Sequence, residues 1–441
     1  MVQDSSAAWF GAAGFEVTGV GEEGGEVVVS VQTPDGQRVL CDGCGHRARS
    51  EGRREVCLRD APAGCGRPLR VLWNKRVWAC ANPGCGVRTW TERAELAGPR
   101  RVLTAGAVRW AADTLAAVEG SVASLARRLG VGWRTVWSAV EAVACERAGD
   151  PARVGPTARV GFDETVMASA TRRRRRRFVT AAVDAATGQV IDVFDGRDAA
   201  DLRRWLQAQP RWWAETVEVV CTDPHEGYRS AVRSLKRDGG LRPAVAVAAD
   251  PFHIVRLANQ AITGCRQRTQ NETTGHRGRT GDPLYGIRKL LLTGQERLDA
   301  QGLQRLQSAL DQGDPYDEVA DCWTAKEKVR SVFKTRDPQQ ATARLDDAIE
   351  WCAAPESGPE LHRLATTLHR WRDEIETSVR TRTHNGRTEA ANAKIKDVKR
   401  SARGFRNLAN YRPRILPAAG RKPRETQPVI KIRTRRPSSD A

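Results

Sequence analysis

The sequence predicts a multidomain α/β protein with an N-terminal zinc ribbon-like β module, a helix-turn-helix and a mixed sheet that a long helical insertion interrupts. Three observations predict this architecture. The chain has 441 residues, too many for one ordinary core. Six of its 11 cysteines lie between residues 41 and 85, beside β-like alternation. From residue 159 onward, strand-like runs form a meander and then alternate with helical stretches, which is typical of a mixed sheet.

The charge balance indicates a polyanionic partner. Lysine and arginine number 72 against 53 aspartates and glutamates, which gives a net charge of +19. A globular protein this basic usually binds nucleic acid, whereas solubility alone would be served as well by acidic residues. The first residues show neither a basic region nor a long apolar run, so we expect no secretory signal, and no apolar run is long enough for a membrane helix. We therefore expect a cytoplasmic protein with reduced thiols and no membrane partner.

Changes in composition divide the chain into six predicted segments. The runs FEVTGV and EVVVSVQT predict a β-hairpin in the first, and glycine and proline mark a linker at 148–158. The segments are a β and zinc-binding domain (1–95), a helix-turn-helix domain (96–150), the first part of the sheet domain (151–253), a helical insertion (254–380), the last helix of the sheet domain (381–416) and a basic disordered tail (417–441).

The sheet domain and its insertion are predicted from runs of opposite periodicity. Five runs read as strands, namely ARVGFDE, RFVTAAVD, QVIDVF, VEVVCTD and AVAVAAD, and two stretches between them read as helices, DAADLRRWLQAQ and EGYRSAVRSLKR. The insertion has helical patterning throughout. Breaks at 311–315 and 355–359 divide it into hairpinned helices.

Two close cysteine pairs, in CDGCGHR and CANPGC, predict a structural zinc site. Such pairs, separated by a β-rich stretch, let a zinc ribbon offer four thiolates to a tetrahedral ion, with no open position for chemistry. The second pair is wider than the usual two-residue gap, and six unrelated buried cysteines are the alternative. Cys57 and Cys65 lie between the pairs and could compete. The predicted ligands are Cys41, Cys44, Cys80 and Cys85.

Residues 121–143, SVASLARRLGVGWRTVWSAVEAV, predict a helix-turn-helix. Leu125 and Leu129 mark the first helix, and Gly130 is placed for the turn. An ordinary helical hairpin is the alternative, but a neighbouring zinc module in a basic chain favours DNA binding. The side chains that would point into a major groove are Trp133, Arg134, Thr135 and Ser138.

Three acidic residues are placed for metal-ion chemistry. Asp163 lies in the first strand of the predicted sheet, Asp223 ends another strand, and Glu389 opens a helix. Carboxylates on adjacent strand ends, completed by an acid from a facing helix, suit two Mg²⁺ (or Mn²⁺) ions that promote phosphodiester chemistry. Any one of these acids alone would more often be a surface residue, so the prediction rests on their combination.

The helix that carries Glu389 has two predicted faces. Ala391, Ile395 and Val398 share one face and should be buried. A merely solvated, charged surface is the alternative for the opposite face. That face carries Glu389 and three residues that we expect to contact DNA: Asn392, Lys396 and Arg400.

Several motifs resemble those of a known family. VGFDE, FVTAAVDAATGQVIDVFDGRDAADLRRWL, CTDPHEGYRSAV, ADPFHIVRLAN and NGRTEAANAKIKDVKRSARGFRNLANYRPRIL are similar to DDE-class insertion-sequence transposases of the ISL-three family. The resemblance covers nearly the whole chain, including the cysteine pairs and the helix-turn-helix. It implies an RNase H-like sheet broken by the insertion. It also implies that Asp163, Asp223 and Glu389 are the metal-binding triad and that the enzyme binds the terminal inverted repeats of its own element.

The expected enzyme cleaves DNA strands and transfers them to target DNA, works as a homodimer on DNA, is associated with the nucleoid, and holds structural zinc beside two catalytic Mg²⁺ ions. The alternatives are a DNA-binding regulator, a nuclease that does not rejoin strands, and an inactive domesticated transposase. In ADPFH, Asp250 and His253 have either a supporting role near the site or a structural one. The six arginines at 172–177 either bind phosphate or form a solvated hairpin tip.

Overall fold

The computed structural model describes residues 14–173 and 175–420. Within these ranges the protein is mixed α/β, with two five-stranded mixed sheets and sixteen α-helices. The described chain divides into two compact units. One holds the residues through Pro151 together with Ile395–Ala419, and the other holds Ala152–Lys394 together with Gly420.

The first unit contains a sheet with the strand order β1-β2-β4-β3, with β5 paired to β4. The predicted hairpin is present as the antiparallel pair β1–β2, whereas β2 and β4 are parallel. Val29, Val71 and Trp73 are buried in its core. The strands are β1 (Glu16–Glu23), β2 (Glu26–Gln32), β3 (Ala48–Asp60), β4 (Leu69–Cys80) and β5 (Thr89–Thr91).

Four helices complete the first unit: α1 (Ala105–Ala116), α2 (Val122–Leu129), α3 (Trp133–Gly149) and α16 (Leu408–Ala419), which packs on α1 and α3. The Ser121 hydroxyl accepts from the Ser124 backbone and starts α2, and Gly130 ends it with a left-handed φ of 63°. Because α16 extends to Ala419, the prediction that a tail begins at residue 417 is wrong. The rest of that predicted tail, 421–441, lies outside the described residues.

The second unit contains a sheet with the order β10-β9-β6-β7-β8. All five predicted strands and both predicted helices are present. The β10–β9 and β9–β6 pairs are parallel, whereas β6–β7 and β7–β8 are antiparallel. The elements are β6 (Arg159–Ala168), β7 (Arg177–Asp184), β8 (Val190–Asp195), α4 (Ala199–Gln207), α5 (Arg211–Ala214), β9 (Val219–Thr222), α6 (Glu226–Arg237) and β10 (Ala246–Ala249).

A run of helices follows β10 and has a hydrophobic core of its own. The predicted breaks at 311–315 and 355–359 overlap the gaps at 314–317, before α11, and 354–358, before α13. In the part of the chain that the structure describes, none of the helices has the length and apolar character needed to cross a membrane. The helices are α7 (Pro251–Thr274), α8 (Pro283–Gly286), α9 (Arg288–Leu292), α10 (Ala300–Gly313), α11 (Glu318–Val332), α12 (Pro338–Ala353), α13 (Pro359–Arg370), α14 (Arg372–Thr381) and α15 (Gly386–Ser401).

Candidate active site and metal centre

Three aspartates lie at one level of the second sheet. The parallel register pairs Gly161 of β6 with Cys221 of β9, and Cys221 with Ala248 of β10. Asp163, Asp223 and Asp250 each follow one of these paired residues by two positions. Since residues two apart in an extended chain share a face, the register places the three carboxylates on one face, at the level where β9 and β10 end and β6 continues.

His253 links two of these aspartates. Its Nδ1 lies 2.9 Å from Asp250 Oδ2, and its Nε2 lies 3.1 Å from Asp223 Oδ2. Asp250 caps α7 by accepting from the His253 backbone N–H, so the helix start fixes the imidazole. Among the described residues, the ligand atoms of Asp223, Asp250 and His253 lie within 4.8 Å of one another, whereas Asp163 and Glu389 are outside this group.

The site concentrates negative charge in a buried place. Burial, together with the neighbouring Asp163 and Glu164, raises the pKa of Asp223 to about 7, although His253 acts against this rise. The hydrogen bond to Asp250 raises the pKa of His253. Clustered carboxylates of this kind gain from a nearby cation, so the oxygen donors fit a hard divalent ion.

The start of α15 closes over the aspartates. The backbone N–H of Asn385 donates to Asp250 Oδ1 at 2.8 Å, and its side-chain amide donates to Asp223 Oδ1 at 3.4 Å. Two helical turns later, the side-chain amide of Asn392 donates to Asp163 Oδ2 at 2.6 Å. Asn385 was not predicted from the sequence. Its position four residues before Glu389 and seven before Asn392 is the signal that would have placed it on the same helix face.

The predicted faces of α15 need one correction. Ala391, Ile395 and Val398 are buried as predicted, and Glu389 is exposed. Asn392, however, is only 1% exposed, so the prediction that its side chain lies on the open face and contacts DNA is wrong. The apolar face was predicted correctly, but the side chain of Asn392, at the border of the charged face, is covered by Asp163. Two residues of that predicted face remain exposed, Lys396 and Arg400.

Gly161 allows this close approach. A Cβ atom at Gly161 would lie 2.3 Å from Thr388 Oγ1 and 2.8 Å from Asn385 Oδ1. Both distances are shorter than real Cβ contacts, and both neighbours are buried. The absence of a side chain at position 161 therefore lets the start of α15 lie directly on β6.

We expect Gly161→Ala to destabilise the protein by about 1–3 kcal/mol, as overpacking of a well-packed core does. The measurement is equilibrium unfolding in urea. Gly155→Ala is the control, because a Cβ at Gly155 would have no atom of the described chain within 4 Å. Equal stability of the two variants would show that the start of α15 does not depend on the missing side chain.

The four predicted cysteines form one cluster in the first unit. Cys41 and Cys85 Sγ atoms lie 3.8 Å apart, those of Cys44 and Cys80 lie 3.5 Å apart, and all four sulfurs lie within 4.8 Å of one another. The backbone N–H groups of Asn82 and Val87 point at Cys80 and Cys85 Sγ, each at 3.4 Å. Cys57 is exposed and outside the cluster, and the side chain of Cys65 lies outside the described residues.

The pKa values of two thiols in the cluster are shifted in opposite directions. A hydrogen bond from the His46 backbone lowers the pKa of Cys44 to about 6. The pKa of Cys80 rises to about 12: the Asn82 backbone opposes this rise, and burial together with Cys44 causes it. A central cation would stabilise all four thiolates, so the donor set fits Zn²⁺.

Comparison with known proteins decides the family. A family model for ISL3-type DDE elements, described as a transposase, matches residues 160–415, more than half of the chain. The chain belongs to the ISL3 (ISL-three) family of transposases. The resemblance of its motifs is thus confirmed, and the family implies an enzyme that cleaves and transfers DNA with divalent metal ions.

The transposase is also similar to a protein named "Transposase for insertion sequence element IS1557" in two strains of Mycobacterium tuberculosis, CDC 1551 / Oshkosh and ATCC 25618 / H37Rv. In both cases the identity is 26% over 450 residues, covering 89% of this chain and 93% of the relative. The match extends well beyond residues 160–415, because it spans most of both chains.

The helix-turn-helix of the transposase presents the predicted side chains at the start of α3. Trp133 is 53% exposed, and its ring lies 6.2 Å from that of Trp137. Arg134 and Ser138 are exposed, and Thr135 is half-buried. Val136 and Val140 hold the opposite side of α3 in the core, so this face of the helix is open to a partner.

Proposed function

We propose that this transposase binds the terminal inverted repeats of its own element and catalyses strand cleavage and strand transfer to target DNA, with two Mg²⁺ (or Mn²⁺) ions held by Asp163, Asp223 and Glu389. The observation that carries the proposal is the register that aligns Asp163, Asp223 and Asp250 at one edge of the sheet. Glu389 lies on the turn of α15 between Asn385 and Asn392, both of which contact these aspartates.

The residues of the site prepare it for the reaction. The ions, when bound, activate the attacking oxygen and stabilise the leaving one. Asp163 and Asp223 offer oxygens from adjacent strands, and Glu389 approaches from α15. Asp250 has a supporting role, since it is 2% exposed and orients His253, which holds Asp223 Oδ2. Lys396 and Arg400, exposed two and three turns after Glu389, are placed to contact DNA phosphates.

We propose a matching division of labour along the chain. Residues 1–95 form the zinc-binding β domain, and 96–150 form the helix-turn-helix domain. Residues 151–253 and 381–394 form an RNase H-like catalytic domain interrupted by the insertion at 254–380, whereas the rest of the predicted last segment, 395–416, belongs to the first unit. Because two DNA ends must be handled together, the transposase acts as a homodimer on DNA, at the nucleoid. Zinc has a purely structural role, as four cysteines leave no open position.

Replacing Arg134 by alanine should weaken binding to the element's ends by about 1–3 kcal/mol, because an exposed arginine at the start of a recognition helix contacts base edges or phosphate. Fluorescence anisotropy over a range of salt concentrations measures this. Arg147→Ala is the control on the same helix. Arg147 lies in the last turn of α3, and its guanidinium pairs with Asp113 of α1. If both substitutions changed the affinity for the ends equally, the proposed contact of Arg134 with DNA would be wrong.

The test of the proposed function is an assay with purified protein, labelled DNA carrying the element's own ends, unlabelled target DNA and Mg²⁺. We expect cleaved ends and joined products that both disappear with EDTA. Cleavage without joining would favour a nuclease. Specific binding of the ends without any reaction would favour a regulator or an inactive, domesticated copy.

A further inference from the structure

Two buried side-chain amides face the proposed ion-binding aspartates. Asn385 and Asn392 are each 1% exposed, so neither can contact DNA directly. The amide nitrogen of Asn392 lies 2.6 Å from Asp163 Oδ2, and that of Asn385 lies 3.4 Å from Asp223 Oδ1 and 3.3 Å from the Phe162 carbonyl. The side-chain amide of each asparagine therefore donates to one of the two proposed ion-binding aspartates.

The structure fixes where these amides sit. The backbone of Asn385 is tied to Asp250, and Thr388 of the same turn lies against Gly161. Asn392 follows one turn after Glu389 in the interior of α15. The amides are thus held by the backbone and by packing, and the carboxylates are the groups that they orient.

An amide suits this task better than a charged donor. Two carboxylates at the same strand edge repel each other and would turn apart before an ion arrives. A lysine or arginine would suppress this repulsion but would also compete with the ion for the negative charge. An amide N–H engages one carboxylate oxygen, adds no charge, and leaves the other lone pairs to the ion. For Asp223, His253 Nε2 holds the second oxygen, Oδ2, at 3.1 Å.

We propose that Asn385 and Asn392 are positioning residues that hold Asp223 and Asp163, respectively, in the orientation in which they receive the divalent ions. This inference rests on the proposed function, because it takes these two aspartates as ion ligands. It assigns to Asn392 a role in the site's interior in place of a DNA contact.

The test measures ion binding directly, by the electron paramagnetic resonance signal of free Mn²⁺ in titrations of the full-length, zinc-loaded protein. Asn392→Leu keeps the branched shape of the side chain, although leucine is larger, and removes the donor. We expect its Mn²⁺ dissociation constant to rise by about 10–100-fold, as removal of an outer partner of a metal ligand does. Asn392→Ala decides the question if the leucine variant does not fold. Asn385→Ala should raise the dissociation constant in the same direction.

Thr388→Val is the matched control. Thr388 is fully buried on the same helix, between the two asparagines, and its hydroxyl has no hydrogen-bond partner among the residues that the structure describes. We expect this variant to bind Mn²⁺ like the wild type. If Asn392→Leu, or its alanine replacement, and Thr388→Val have the same Mn²⁺ affinity, the positioning role is overturned.

A further variant, Asp163→Asn, separates the two proposals. If it loses Mn²⁺ binding while Asn392→Leu does not, only the positioning inference fails. If Asp163→Asn binds Mn²⁺ like the wild type, the proposed ion site itself fails.

Discussion

Removal of zinc, or replacement of Cys80 by serine, should unfold the β module of the first unit and abolish binding to the element's ends. Cys80 ends β4, which pairs with β2, β3 and β5 and is therefore central to the sheet. The four sulfurs lie within 4.8 Å of one another, so losing the ion would leave partly buried thiols with opposed pKa shifts. Structural zinc sites contribute roughly 10–16 kcal/mol of apparent binding free energy in small zinc domains, which exceeds the stability of most domains.

The measurement combines metal content by mass spectrometry with thermal unfolding and an end-binding assay. Wild-type protein should hold one zinc per chain and lose the module's cooperative transition in a strong chelator. Cys57→Ser is the matched control, since Cys57 lies in β3 of the same sheet but is exposed and outside the cluster. A Cys80→Ser protein with full end binding and an unchanged transition would show that the cluster is only a set of packed thiols.

Most of the architecture could be predicted from local patterns in the sequence. Alternation predicted β1, β2 and all five strands of the second sheet, and the glycine at 130 predicted the turn between α2 and α3. These features depend on neighbouring residues, so periodicity and turn chemistry suffice to find them. The clustering of the cysteine pairs at 41–44 and 80–85 could also be predicted, because two close cysteine pairs with adjacent glycines have few other structural roles.

The candidate site was only partly predictable, because it depends on strand register and long-range contacts. Asp163 could be placed in a strand and Asp223 at the end of another, but their common level follows from the pairing of Gly161 with Cys221. The burial of Asn392 depends on Asp163, 229 positions away in the chain. Helical periodicity assigns a residue to a face, but it does not show what covers that face.

Asp163→Asn and Asp223→Asn should each lower strand cleavage and joining by roughly 10²–10³-fold or more while binding to the ends persists. Each change keeps the side-chain shape and removes the charge that an ion needs, so the transition state loses its electrostatic stabilisation. The measurement is single-turnover cleavage of end DNA in Mg²⁺. Glu215→Gln is the control, because Glu215 is an acid paired with Arg211 on the surface.

The same assay decides which residue is the third ligand. Glu389 lies on α15 and is exposed. Asp250 is buried, and its oxygens are hydrogen-bonded to His253 and to the backbone N–H of Asn385. Asp250 is 2% exposed and caps α7, which leaves less room for an ion than the exposed carboxylate of Glu389 has. Glu389→Gln should therefore lose activity as fully as the aspartate variants. Asp250→Asn should instead lower thermal stability, because an amide has only one acceptor oxygen, whereas both oxygens of Asp250 accept buried hydrogen bonds. Full activity of Glu389→Gln, with Asp250→Asn folded but inactive, would transfer the third position to Asp250.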